Sequence, residues 1–71
     1  MSRARNALAT NLRRWRRVRQ LSINALSQRT GVEGSVIQDL EAGRGFGRVR
    51  LGTLEALARG LGIKAATLLR T

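Results

Sequence analysis

The stretch SINALSQRTGVEGSVIQDLEAG, from Ser22 to Gly43, decides the fold of this chain. Ser22 is a residue type that caps free N–H groups at a helix start, and small and apolar residues then follow at helical spacing. Gly31 can adopt the left-handed conformation that ends a helix and turns the chain. After it, one buried helix face is formed by Val36, Ile37 and Leu40. The pattern predicts two short helices joined by a tight turn, ending at Gly43.

Length and composition limit what such a chain can be. With 71 residues it is one domain, of a size that buries only about 60% of its unfolded surface, so oligomerisation would help its stability. It has no Cys and no His, which excludes disulfides and thiolate metal sites and removes the commonest general base. No apolar run is long enough for a membrane span or a signal peptide. We therefore expect a soluble cytoplasmic protein with no metal, no cofactor and no membrane contact.

The charge of the chain indicates a polyanionic partner. Fourteen basic residues face four acidic ones, which gives a net charge of +10. All but Lys64 of the basic residues are Arg, the side chain suited to planar, bidentate phosphate contacts. Nucleic acid is the simplest partner. The alternative is a solvated cationic face.

The N-terminal region reads as a short basic leader followed by a helix. We expect residues 1–5 to be flexible and a helix to run from about Asn6 to Val18, with an apolar face formed by Leu8, Leu12, Trp15 and either Val18 or Arg19. Trp15 is interpreted as a core anchor, with base stacking as the alternative. Because this helix is rich in Arg and lacks acids, a transit peptide or a membrane-surface helix is a second interpretation.

The segment RGFGRVR, residues 44–50, is the least regular part of the chain. Its glycines allow successive backbone N–H groups to form an anion-binding nest, to which Arg44, Arg48 and Arg50 would add charge. A flexible connector with solvated arginines is the alternative. Phe46 is either packed on the core or exposed to a partner. Beyond it, we expect a helix at about Leu51–Leu61, ended by Gly62, and a short helix at about Ala65–Leu69.

The order of these motifs resembles the Cro/repressor-type (XRE-like) helix-turn-helix family over about residues 8–69. The residues that carry the resemblance are Leu12-x-x-Trp15-Arg16, Leu21-Ser22, Leu26, Gly31-Val32, Ser35-x-Ile37, Leu40-Glu41-x-Gly43-Arg44 and Leu54-x-x-Leu57-Ala58-x-x-Leu61-Gly62-Ile63. The resemblance implies an all-α fold, a compact five-helix bundle of the lambda-repressor type, with residues 22–43 as the helix-turn-helix. It also implies an ion pair between Arg16 and Glu41.

The resemblance further implies a set of DNA-contacting positions. The third helix of the family reads bases, and the start of the second helix and the segment after the third contact phosphates. Carried over to this sequence, the DNA-binding positions are Ser22, Gly34, Ser35, Gln38, Asp39, Arg44, Arg48 and Arg50. Gln38 could read adenine through its amide, and Asp39 could accept from cytosine N4.

Two departures from the family weigh against simple DNA reading. Gly34 offers no side chain, and Ile23 stands where a polar phosphate-contacting residue is common. In addition, three of the four acids of the chain, Glu33, Asp39 and Glu41, fall on the third helix, where they would face a phosphate-lined groove.

Three functions follow from these observations. The first is a sequence-specific DNA-binding regulator, acting as a homodimer on a palindromic site; candidate dimer surfaces are the last helix around Ala66 and Leu69, or the Phe46 loop. The second is a helix-turn-helix fold turned to protein binding, an antiactivator or antitoxin-like partner, favoured by the acidic third helix and an exposed Ile23. The third, an enzyme, is excluded because the residues form no acid/base or metal constellation.

Overall fold

The computed structural model describes residues 3–71, which form five α-helices and one short 3₁₀-helix. The elements are α1 (Arg3–Val18), α2 (Ile23–Thr30), α3 (Gly34–Glu41), the 3₁₀-helix (Phe46–Arg48), α4 (Leu51–Leu61) and α5 (Ala65–Leu69). Helix α1 packs against α3 and α5, α2 packs against α3 and α4, and α4 packs against α5. The predicted all-α bundle of five helices is therefore confirmed.

One hydrophobic core joins all five helices. Each helix contributes at least one fully buried side chain, and the members are Leu8, Leu12, Leu26, Ile37, Leu40, Leu54, Leu57, Ala58, Leu61 and Leu68. Trp15 and Phe46 are partly buried and pack against this cluster. The structure thus places both aromatic residues on the core side, as expected for Trp15 and as one of the two alternatives for Phe46.

The ends of α2 explain why the chain turns where it does. The Ser22 hydroxyl accepts a hydrogen bond from the Ala25 N–H at 3.0 Å and caps the start of the helix. Gly31 takes the left-handed conformation with φ of 77°, and its N–H donates to the Ser27 carbonyl. Val32 then packs against the core. The turn predicted from the sequence is therefore present, and it fixes how α3 leaves α2.

Helix α4 has an end closed by both backbone and side chains. Gly62, with φ of 72°, and Ile63 donate their N–H groups to the carbonyls of Arg59 and Ala58. The next two carbonyls, of Gly60 and Leu61, accept from Arg29 at 3.3 Å and from Arg19 at 2.8 Å. Two arginines therefore complement the negative end of the helix dipole and tie α1 and α2 to α4.

Asn11 holds the last helix on the first. It is buried, and its amide nitrogen donates to the carbonyls of Leu68 and Arg70 at 2.8 Å each and of Thr67 at 3.3 Å. These carbonyls belong to the end of α5, where the helix has no further partners of its own. A single neutral side chain thus satisfies the C-terminal end of a five-residue helix.

Two details of the N-terminal region differ from the prediction. Helix α1 begins at Arg3, so residues 3–5 of the expected flexible leader form its first turn. Ala and Arg, the residue types found there, favour helix formation. Met1 and Ser2 lie outside the described residues. Val18 is 56% exposed. Arg19 is exposed as well, but its guanidinium lies 5.4 Å from the centre of the Trp15 ring and donates to the Leu61 carbonyl at the end of α4.

Candidate nucleic-acid interface

The exposed side of α3 carries three of the predicted base-contacting residues. Ser35 and Gln38 are exposed, and Asp39 is half-buried. Residues three and four positions apart lie on the same side of a helix, so Ser35 shares one face with both Gln38 and Asp39. The structure therefore brings these three polar side chains together.

Gly34 lies one helical turn before Gln38, at the end of α3 that meets α2. A Cβ atom at this position would lie 3.6 Å from Cγ2 of Ile23, so the position faces α2. The predicted contribution of Gly34 to base contact would have to come from its backbone. Ile23 itself is half-buried and packs against the core. The expectation of an exposed apolar Ile23 was therefore wrong, because the start of α3 covers it.

The Glu41 carboxylate is removed from the helix surface by an ion pair. Oε2 and Oε1 of Glu41 accept from Nε and Nη2 of Arg16 at 2.8 and 2.9 Å, and the two side chains are 8% and 20% exposed respectively. Arg16 also donates to the Leu21 carbonyl at 3.1 Å. Hydrogen bonding to Glu41 raises the pKa of the Arg16 guanidinium above its usual value, against the opposing effect of burial. The predicted partners thus meet between α1 and α3.

Arg13 is a residue whose role the sequence did not reveal. Its guanidinium donates to the backbone carbonyl of Glu41, the last residue of α3. Together with Arg16 it supplies positive charge at the C-terminal end of α3, where the helix dipole is negative. The available signal was its position three residues before Arg16 on α1, which places both on one helix face.

The Asp39 carboxylate is also paired, but on the outside of the helix. Its Oδ1 atom accepts from Nη2 and Nε of Arg44 at 3.1 and 3.3 Å. The Arg44 N–H donates to the Asp39 carbonyl at 2.7 Å. The two side chains are 46% and 66% exposed. With Glu41 and Asp39 both matched by arginines, Glu33 is the acid of this helix region that has no ion pair within residues 3–71.

Part of the backbone after α3 is used internally. The N–H groups of Arg44, Arg48 and Val49 donate to carbonyls within the chain, in the 3₁₀-helix and the turn before it. The predicted anion-binding nest is therefore narrowed to the N–H groups of Gly45, Phe46 and Gly47, where it stays a prediction. The arginines at 44, 48 and 50, however, line one open cleft of about 300 Å³ beside α3, together with Val36, Asp39 and Thr53.

Ser22 completes the predicted set at the start of α2. Its hydroxyl oxygen is used in capping, while the side chain is exposed and its hydroxyl proton can still be donated to a phosphate oxygen. The positive end of the α2 dipole lies at the same place. Ser22 is thus compatible with both the structural and the predicted binding role.

Other kinds of site find little support in the part of the chain that the structure describes. Among residues 3–71 no three His, Cys, Asp or Glu side chains come together as a metal site. None of the helices in this range combines the length and the apolar character that crossing a membrane requires.

Comparison with known proteins places the chain in a family. Residues 7–70 match a family described as a helix-turn-helix domain, and the chain belongs to this family. The crystal structure of the hypothetical transcription factor NHTF from Neisseria is similar, with a TM-score of 0.86 and 28% sequence identity over 94% of this chain and 73% of that chain. None of the curated proteins matches. The resemblance to helix-turn-helix regulators drawn from the sequence is confirmed at the level of the family.

Proposed function

We propose that this protein is a small sequence-specific DNA-binding regulator that acts as a homodimer on a palindromic operator. The family and the similar transcription factor both support a DNA-binding regulator. The observation that carries the proposal is the cleft in which three arginines lie alongside the exposed face of α3. In this arrangement Ser35, Gln38 and Asp39 face the bases, and Arg48, Arg50 and Ser22 face the phosphates, with Arg44 between the two groups.

The internal pairing of the acids removes the main objection to DNA binding. Negative charge on a helix that enters the major groove costs affinity, and three acids fall in this region. Glu41 is buried against Arg16, and Asp39 is matched by Arg44. Glu33, at the start of α3, is then the acid of this region without an ion pair among residues 3–71, and the net charge of +10 can act on the phosphates around the helix.

The dimensions of the molecule support the proposed symmetry. Half-sites of a helix-turn-helix dimer are about 34–36 Å apart, one turn of DNA. The domain measures 30 × 20 × 19 Å, so two copies placed along its longest dimension fit on half-sites at that spacing. A protein that occupies such an operator blocks transcription sterically, so the proposal includes a repressor role. It also includes a cytoplasmic location in a bacterial or phage setting.

The surface of the dimer belongs to the same proposal. Leu69 and Phe46 pack partly against the core, while Ala66 is exposed. Leu51, at the start of α4 and next to the arginine-rich segment, is 67% exposed. The proposal therefore keeps both candidate dimer surfaces, the last helix around Ala66 and Leu69 and the Phe46 loop, to which the exposed Leu51 is close in the sequence.

Protein binding in place of DNA binding remains the alternative function, with weaker support than the sequence indicated. It was favoured by an acidic third helix and an exposed Ile23. Since two of the acids are paired and Ile23 packs against the core, both features are weaker than the sequence indicated.

The dependence of DNA affinity on salt tests the proposed function. Affinity for duplex DNA is measured at several salt concentrations for the wild type, for Arg48→Ala and for the matched control Arg59→Ala, which removes the same charge at the far end of α4. We expect Arg48→Ala to lower the slope of log affinity against log salt by about 1, and Arg59→Ala to leave it unchanged. Equal slopes for both variants, or an affinity independent of salt, would contradict the proposal.

A further inference from the structure

The Arg44 guanidinium is held side-on against α3. Its Nε and Nη2 atoms both donate to Oδ1 of Asp39, at 3.3 and 3.1 Å. The backbone of the same residue is fixed as well, since its N–H donates to the Asp39 carbonyl at 2.7 Å. By contrast, no side-chain hydrogen bond or ion pair is observed for Arg48 and Arg50 in the described part of the chain. Of the three arginines at positions 44, 48 and 50, Arg44 is therefore the one whose side chain is oriented by a partner in the described part of the chain.

The pairing leaves one edge of the guanidinium open. An arginine head carries five N–H donors in a planar fork. The contact with Asp39 uses the side edge of the guanidinium, formed by the Nε–H and one N–H of Nη2. The end edge, formed by one N–H of Nη1 and the second N–H of Nη2, remains for another acceptor. Two parallel donors on one edge match the O6 and N7 acceptors of guanine in the major groove.

The location of the pair puts this edge beside the base-facing residues. Asp39 lies one helical turn after Ser35 on the exposed face of α3. By folding back onto Asp39, the Arg44 head is placed over that face and does not extend away from the helix end toward the phosphates. Its charge is also already matched by the carboxylate, so that its attraction for phosphate is reduced.

We propose that Arg44 reads a guanine in the major groove and that Asp39 is the positioning residue that aims it. This inference rests on the proposed DNA-binding function and makes it more specific. It replaces the prediction from the sequence that Arg44 contacts a phosphate and that Asp39 accepts from a cytosine. The pair acts as one unit and specifies one G·C base pair in each half-site.

Selection from a pool of random DNA duplexes tests the pair. Wild type, Arg44→Lys, Asp39→Asn and Arg48→Ala are each used to select sequences, and affinities for the selected site and for its single-base variants are then measured. Arg44→Lys keeps the positive charge but loses the planar fork. We expect Arg44→Lys and Asp39→Asn to lose the preference for guanine at the same position, by about tenfold or more.

The control variant separates base reading from phosphate contact. Arg48→Ala is expected to keep the selected motif, with lower affinity for every sequence and a smaller salt slope. If Arg44→Lys behaves like Arg48→Ala and keeps the guanine preference, Arg44 is a phosphate contact and the inference is wrong. If Asp39→Asn changes a different position from Arg44→Lys, the two residues read separately and the inference is also wrong. If the wild-type protein selects no sequence, the proposed sequence-specific DNA binding is wrong, and this inference is wrong as well.

Discussion

Two arginine–carboxylate pairs, two residues apart on α3, have opposite surroundings. Glu41 points inward and meets Arg16 of α1 through both carboxylate oxygens, with only 8% of its side chain exposed. Asp39 points outward and meets Arg44 through one oxygen, with 46% exposed. Two positions along an α-helix correspond to a rotation of about 200°. Helix periodicity alone therefore assigns one pair to the interior and the other to the proposed DNA-facing surface.

An arginine–carboxylate pair therefore affects stability differently when it is buried and when it is exposed to water. Exposed ion pairs contribute little to stability, because water and salt screen them. A buried charge that loses its partner destabilises strongly, because the remaining charge is neither solvated nor matched. We therefore expect the inner pair to act on folding and the outer pair to act on DNA recognition. The predictions that follow separate these two effects.

The largest expected effect is on the inner pair. Glu41→Ala removes the carboxylate and leaves Arg16 half-enclosed without a counter-charge, which should lower the free energy of unfolding by about 3–5 kcal/mol. Urea unfolding followed by circular dichroism measures this. The matched control is Asp39→Ala on the same helix, for which we expect a change within about 0.5 kcal/mol. Similar unfolding curves for the two variants would refute the contrast.

A buried polar contact without charge should have an intermediate effect. Asn11→Ala removes the donor shared by the Thr67, Leu68 and Arg70 carbonyls; Thr67 keeps the Arg70 N–H, but the buried Leu68 carbonyl loses its Asn11 partner, at a cost of about 1–3 kcal/mol. Amide hydrogen exchange should show faster exchange in α5 than elsewhere. Asn6→Ala, at an exposed position of the same helix, serves as the control. Unchanged exchange in α5 of the Asn11 variant would show that the apolar contact of Leu68 alone holds the helix.

A smaller effect is expected for the second arginine at the end of α3. Arg13→Ala loses one hydrogen bond to the Glu41 carbonyl and a favourable charge at the helix end, together about 1 kcal/mol. Urea unfolding of this variant is compared with that of Arg14→Ala, whose side chain is exposed. If Arg13→Ala and Arg14→Ala are equally stable, the ion pair between Arg16 and Glu41 is sufficient to hold the end of α3.

The smallest expected effect concerns pH. Hydrogen bonding to Glu41 raises the pKa of Arg16 in the folded state above its ordinary value. The stability that a raised pKa provides is fully present below the unfolded value and is lost only as the pH rises through the folded value. The difference in stability between wild type and Arg16→Gln should therefore stay constant from neutral to mildly alkaline pH. Urea midpoints at two such pH values measure it, and a marked decrease would show that another group controls the pair.

Much of the fold could be predicted because it depends on local rules. Helical spacing of apolar residues gave the helices, and the cap at Ser22 and the glycines at 31 and 62 gave their ends. Val18 and the start of α1 were less certain, since helix ends depend on what the neighbouring elements cover. Asn11 lies on the core-facing side of α1, between Leu8 and Trp15. A polar residue at such a position indicates a buried hydrogen bond, although it does not identify the acceptor.

The site was less predictable because arginines are long and numerous. Any of thirteen arginines can reach several acids or carbonyls, so spacing alone could not show that Arg44 returns to Asp39 or that Arg13 reaches the end of α3. The loop was also only partly predictable: its glycines permit an anion nest, but the N–H groups of Arg44, Arg48 and Val49 are used internally by the turn and the 3₁₀-helix. These outcomes are set by tertiary packing, which a single sequence does not display.

The attachment of α5 to α1 by Asn11 has a consequence for biosynthesis. The two partners are separated by 56 to 59 positions along the chain, so α1 lacks its α5 contact until residues 67–70 have been translated. A five-residue helix is too short to form alone and cannot act as a nucleus for folding. During translation the apolar face of the first helix therefore stays uncovered on one side, and chaperones have their opportunity to bind in that interval.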